Sequence, residues 1–202
     1  MNQDPKSEGN EVHSSAWIAP SAQVYGHVAV GAGSSIWHNS VLRAECAEIR
    51  IGRMTNLQDF VMVHVGYEHP TVIGDFCSVT HHVTVHGATI EDDCLIGINA
   101  TLMDGVVVGR GSIVAGGAFL KEGSVFPPGA IIAGVPAKVV RERDSSRANR
   151  INAWQYHRNA EFYARGRYDA WRGEDYQRWL TELVAEVEAD RDLAHLPDRS
   201  RR

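Results

Sequence analysis

Aliphatic residues recur along this chain at a step of six. Ile18, Val24, Val30, Ile36 and Leu42 share one phase; Ile51, Leu57 and Val63 resume it, followed by Ile73, Val79 and Val85. After a five-residue step come Ile90, Ile96, Leu102, Val108, Val114, Leu120, Phe126 and Ile132. Four residues beyond these aliphatics stand small or slender ones: Ala22, Val28, Ser34, Ser40, Cys46, Thr55, Val61, Cys77, Val83, Cys94, Ala100, Val106, Ser112, Ala118, Ser124 and Ala130. A short strand closed by a tight corner turns both positions inward. Three such sides make one triangular coil, and stacked coils pair in parallel about 4.8 Å apart. Only slender residues fit beside the aliphatics in so narrow a prism. The pattern predicts a mainly β fold, a left-handed parallel β-helix of hexapeptide repeats, over residues 17–140. A β-sandwich would instead alternate with period two.

The phase slips at two places. Extra residues lie between Leu42 and Ile51, and between Val63 and Ile73, where Gly66-Tyr67-Glu68-His69-Pro70 reads as a surface loop. The repeat is expected to stop near Gly134-Val135-Pro136-Ala137-Lys138. Residues 141–193 then turn to Arg, Glu, Asp and aromatics. One helix is expected around Ile151, Trp154, Tyr156 and Phe162. A second, with Tyr176, Trp179, Leu180, Leu183, Val184 and Val187 at helical spacing, is expected to pack along the prism. Residues 1–16 read as a polar tail and 194–202 as a disordered one. All three cysteines, Cys46, Cys77 and Cys94, fall in the small inward slot and read as core residues.

Composition narrows the function classes. The formal charge of −5 gives no basic footprint for nucleic acid. No apolar run is long enough to span a bilayer. The polar start lacks a secretory or transit pattern, and an odd cysteine count makes no disulfide framework. The expectation is a soluble cytoplasmic protein without nucleic-acid or membrane partners.

Of the ten histidines, His13, His27, His38, His157 and His195 read as surface residues. His64 and His86 occupy the position after the inward aliphatic on one side, one coil apart, with Arg43 in the same slot a coil lower. Two imidazoles at that spacing can converge on one ion. His81 lies two positions after Val79, on a different side of the prism. One side is roughly 15–20 Å long, so His81 does not reach the pair within one chain. A neighbouring subunit's His81 could, and cyclic closure would then give three equivalent sites. Asp59 takes the His81 slot one coil lower, placed to orient a ligand. Histidines also occur as ordinary polar corner residues; the third histidine at a complementary corner favours a metal.

These stretches (Val41-Leu42-Arg43-Ala44-Glu45, Asn56-Leu57-Gln58-Asp59, Val63-His64-Val65 and His81-His82-Val83-Thr84-Val85-His86-Gly87) resemble the γ-class carbonic anhydrase family, over roughly Trp17 to Arg141. The resemblance implies metal ligands His64, His81 and His86, the five-residue step selecting His81 over His82. It implies a homotrimer with the metal between subunits, and Zn2+ as the ion, with Fe2+ or Co2+ as alternatives. Gln58 and Asp59 would orient water or bicarbonate, and Arg43 with Glu45 would support the interface and the anion. The implied reaction is reversible hydration of carbon dioxide to bicarbonate by a metal-bound hydroxide. Two departures stand out. The family's Arg-Gly-Asp is Arg43-Ala44-Glu45 here, and the family's longer acidic loop with its glutamate proton shuttle is reduced to Gly66–Pro70. Glu68, His69, Tyr156 and Asn159 are the candidate replacements for the relay. The alternatives are a hexapeptide acyltransferase, a non-catalytic metal-binding scaffold and a metal-dependent thioester hydrolase.

Overall fold

The computed structural model describes residues 9–196. Its strands form two sheets, one of 11 strands wrapping two sides of a triangular prism and one of 8 strands on the third. The product is a left-handed parallel β-helix. The six-residue phase is visible in the register. Ile18, Ile36, Leu57, Val79, Ile96, Val114 and Ile132 stack along one side. Val24, Leu42, Val63, Val85, Leu102 and Leu120 stack along the second. Val30, Ile51, Ile73, Ile90, Val108 and Phe126 stack along the third. All of these except the half-buried Ile18 are buried, and together with the slender residues they form one continuous core.

Several boundaries differ from expectation. The first coil starts before Trp17, because Glu11–Val12 pairs with Ala29 and Val30. At the other end the chain does not simply stop. Ala130–Gly134 folds back on Ala137–Glu142 as an antiparallel pair. Cys77 and Cys94 are buried in the core, but Cys46 is exposed. The reason lies in the long step after Leu42. The strand Val41–Ile51 bulges, Ala44 and Ile49 take the buried positions, and the register shifts so that Val28 faces Ile49. Cys46 rides on the bulge.

Two helices follow. α1 (Ser146–Tyr163) lies on the 8-stranded side, against the strands Ser35–Ile36, Asn56–Leu57 and Ser78–Val79. Its attachment is polar as well as apolar. The Arg150 guanidinium bonds the fully buried Asp93 carboxylate at 2.8 Å, and the Asn149 amide donates to the Asp93 carbonyl at 2.7 Å. Burial works against the charge on Arg150, but Asp93 and then Asp190 outweigh it and hold its pKa above the ordinary value. His157 is not a free surface residue, since its Nδ1 donates to the Gly33 carbonyl at 2.8 Å. Trp17 and Trp37 of the prism interlock edge to face with each other and with Tyr156 and Tyr163 of the helix. α2 (Gly173–Glu188) was expected on the prism, but it packs on α1. Its Leu183 and Val187, with Leu193, form a second small core against Ile151, Trp154, Trp179 and Leu180. Leu196 joins that core, and its carbonyl accepts from Arg147, so residues 194–196 are not a loose tail. Residues 1–8 and 197–202, where the rest of both expected tails lies, fall outside the described residues. Among the described residues no helix is long and apolar enough to cross a membrane.

Candidate metal centre

One uncovered side of the prism carries Arg43, His64 and His86 on three successive coils, paired in register as Arg43 with His64 and His64 with His86. Their alternation with the inward Leu42, Val63 and Val85 turns all three side chains outward. The two imidazoles meet with His64 Nδ1 and His86 Nε2 3.0 Å apart. Each ring's other nitrogen faces a carboxylate. His64 Nε2 lies 3.0 Å from Glu45 Oε2, and His86 Nδ1 lies 2.6 Å from Asp104 Oδ1.

This arrangement has an electrostatic consequence. An ionised carboxylate only accepts hydrogen bonds, so each outer nitrogen must carry the ring proton. In two neutral rings the inner nitrogens are then bare lone pairs aimed at each other. Such a pair is repulsive unless a cation, a proton or a metal ion, stands between them. Two nitrogens bound to one tetrahedral ion at about 2.0–2.1 Å stand roughly 3.3 Å apart. The observed 3.0 Å separation is close to that, so the pair fits an ion without rebuilding the backbone.

His81 stands at a different corner, on the coil edge that follows Ser78–Val79. Its Nδ1 lies 3.2 Å from Asp59 Oδ2. His82 has φ 59° and turns the corner, and its ring stacks on Phe60 at 4.8 Å. The neighbouring histidine is therefore spent on the corner itself. Gln58 is buried on the helix-covered side. Its amide donates to Asn56 at 3.0 Å, Asn56 donates to Ser78, and Ser78 donates to Asn152 of α1. Among the described residues of one chain, no three His, Cys, Asp or Glu side chains gather closely enough to hold an ion. The structure brings His64 and His86 together and leaves His81 apart.

The remaining candidates divide between the two corners. Arg43 and Glu45 form an ion pair within the chain, and Glu45 also holds His64. Slight burial raises the Glu45 pKa, but its backbone, His64 and Arg43 outweigh that and lower it. Glu68 and His69 sit in the exposed loop, which is closed by a 2.8 Å bond from the Gly66 N–H to the His69 carbonyl. Tyr156 belongs to the His81 corner. Its phenol is pushed up to about 12, first by burial and then by the Asp59 carboxylate and Tyr163. Asn159 is buried on α1. Asp104 was not among the expected residues. It lies two positions past Leu102, in the coil above Gly87, and only coil stacking brings it to His86.

Comparison with known proteins bears on the fold and the family. Residues 87–122 match the bacterial transferase hexapeptide (six repeats) family. The chain is 47% identical over 141 residues to a probable carbonic anhydrase of Methanocaldococcus jannaschii, covering 69% of this chain and 89% of that one. It is 37% identical over 160 residues to Gamma carbonic anhydrase 2, mitochondrial, of Arabidopsis thaliana, covering 72% of this chain and 58% of the relative. For Gamma carbonic anhydrase 1, mitochondrial, of the same plant the chain spans 37% of the relative's length. Among solved structures, a provisionally assigned acetyltransferase of Bacillus cereus superposes with a TM-score of 0.75 at 32% identity, over 78% of this chain and 93% of that one. By fold, repeat and relatives, the chain belongs to the γ-class carbonic anhydrase-like family of hexapeptide-repeat proteins.

Proposed function

We propose that this protein is a γ-class carbonic anhydrase, hydrating carbon dioxide reversibly to bicarbonate at divalent-metal sites shared between the subunits of a homotrimer. The observation that carries the reading is the pair of facing ring nitrogens, His64 Nδ1 and His86 Nε2, 3.0 Å apart, with each ring's other nitrogen within hydrogen-bond reach of a carboxylate. His81 of a neighbouring copy is the third donor, and Asp59 on its Nδ1 leaves Nε2 to bind. Exposed Phe60 and Ile98 flank the His81 corner, which supports its being covered by another copy.

Three neutral imidazoles suit zinc, with Fe(II) or Co(II) as alternatives. When bound, the ion supplies Lewis acidity that brings the pKa of water down to about 7. The chain's own residues do the rest. Asp59 orients His81, and Gln58, fixed through Asn56, holds the segment that carries Asp59. Arg43, on the coil next to His64, offers a positive charge to bicarbonate. His69 and Glu68, at the rim of the pair, and Tyr156, at the His81 corner, are the groups available to pass a proton outward. A cytoplasmic location is part of the same proposal.

The test is stopped-flow carbon dioxide hydration with metal-analysed protein, loaded anaerobically with zinc and separately with Fe(II). Hydration that disappears in His81→Ala is expected. Full metal occupancy without hydration would contradict the reading. The similarity to the Bacillus cereus structure favours one second reading, acyl transfer. Saturable acetyl-CoA binding together with absent hydration would support it.

A further inference from the structure

The geometry points to Asp104 as the positioning residue of this centre. Its carboxylate holds His86 in the tautomer and orientation that present Nε2 to the ion. The assignment rests on the metal reading above but on a different observation, the space kept for one carboxylate.

Asp104 Oδ1 accepts from His86 Nδ1 at 2.6 Å, the shortest of the three histidine–carboxylate contacts at the two corners. Two glycines on the coils below make room for it. A Cβ on Gly87 would stand 2.1 Å from Asp104 Oδ1, and one on Gly66 would stand 2.5 Å from the same atom. Gly87 also has φ +57°, which itself favours glycine. Gly66 has no such backbone demand. The three atoms nearest to its Cβ would be Asp104 Oδ1, Cγ and Oδ2, at 2.5, 2.9 and 3.1 Å. A side chain is thus absent at Gly66 where the Asp104 carboxylate takes the space. With Nδ1 donating to Asp104, His86 Nε2 is a lone pair aimed at His64. Without Asp104 the ring is free to rotate and to move its proton to Nε2, the tautomer that does not present Nε2 to the ion. Carboxylate partners of metal-binding histidines act in this way, and their loss costs about 10–100-fold in metal affinity.

The test is zinc affinity, read by competition with a chromophoric chelator on the full-length protein. Asp104→Ala is expected to weaken binding roughly 10–100-fold, with oligomeric state and the melting temperature of the metal-free protein unchanged. Asp104→Asn keeps a carbonyl oxygen for the Nδ1–H and should recover most of the affinity. Gly66→Ala should reproduce the loss by evicting the carboxylate, and should cost nothing further when added to Asp104→Ala. Nitrogen-15 NMR of the metal-free protein should show His86 as the Nδ1–H tautomer, and a tautomer mixture in Asp104→Ala. A purely structural Asp104 would leave that spectrum and the Gly66 coupling unmoved. Wild-type affinity in Asp104→Ala, while His64→Ala abolishes binding, would overturn the Asp104 assignment and spare the metal reading. Should Asp104→Ala not fold, unchanged affinity in Gly66→Ala would overturn it equally. Wild-type protein without His64-dependent binding would overturn both.

Discussion

Two polar clusters on this prism use the same residue types for opposite ends. Under α1, Asp93, Arg150, Asn149, Asn56, Gln58 and Ser78 are buried, and the bonds of Asp93 and Ser78 join the prism to the helix. On the uncovered side, His64 and His86 are partly exposed, and each has one nitrogen satisfied and one aimed at the other ring. The first cluster attaches a helix, because every donor has found an acceptor. The second has two ring nitrogens facing each other at 3.0 Å, an arrangement that a cation between them, a proton or a metal ion, satisfies. A polar cluster reads as a ligand site when its unmet valences converge.

The largest expected effect separates the clusters by stability. Asp93→Asn keeps a residue that tolerates the local φ of 56° but leaves Arg150 buried without its main partner. Removing one member of a buried pair costs about 3–5 kcal/mol. Urea unfolding should show a loss of that size, with zinc affinity per folded molecule unchanged. The converse is His86→Ala. It should weaken zinc binding by at least roughly 100-fold, more than the loss of an outer partner does. The unfolding free energy of the metal-free protein should move by less than about 1 kcal/mol. Comparable stability losses in both variants would dissolve the distinction.

Smaller effects sharpen the comparison. Gln58→Ala leaves Asn56 short of a donor in the buried cluster and should cost about 1–3 kcal/mol. If Gln58 also positions Asp59, hydration should fall beyond what the lost folded fraction explains. Tyr156 gives the smallest signal. Its phenol, ordinarily near 10.0, is raised to about 12 in the folded state, so the unfolded chain ionises first as pH rises. The resulting stabilisation is complete below pH 10 and is lost as pH climbs towards 12. Absorbance titration at alkaline pH should show one late tyrosine, missing in Tyr156→Phe.

The prism was legible because its constraint is local and repeated: each inward aliphatic recurs six residues on and stacks directly over the last. The histidine pair was legible for the same reason. What escaped depended on where the count slips or on which surfaces meet. Cys46 was misplaced because the longer step after Leu42 hands its slot to Ile49. The partner of α2 was misread because an amphipathic stripe states that a face is buried but not against what. Asp104 was missed because only stacking joins it to His86. A signal was nonetheless present, in glycines at 66 and 87 on the side that the acid faces from the next coil. The first coil was started too late because Glu11–Val12 is too short to declare a phase.

The most direct test of the shared site mixes two inactive subunits. His64→Ala lacks half of the facing pair, and His81→Ala lacks the donor on the other corner. Each homotrimer alone should bind no zinc tightly. In a mixed trimer of demonstrated composition, one interface joins an intact His64–His86 pair to an intact His81. One tightly bound zinc per mixed trimer is expected, with carbon dioxide hydration recovered in proportion. Mixed trimers that bind no zinc would contradict a centre built from two subunits.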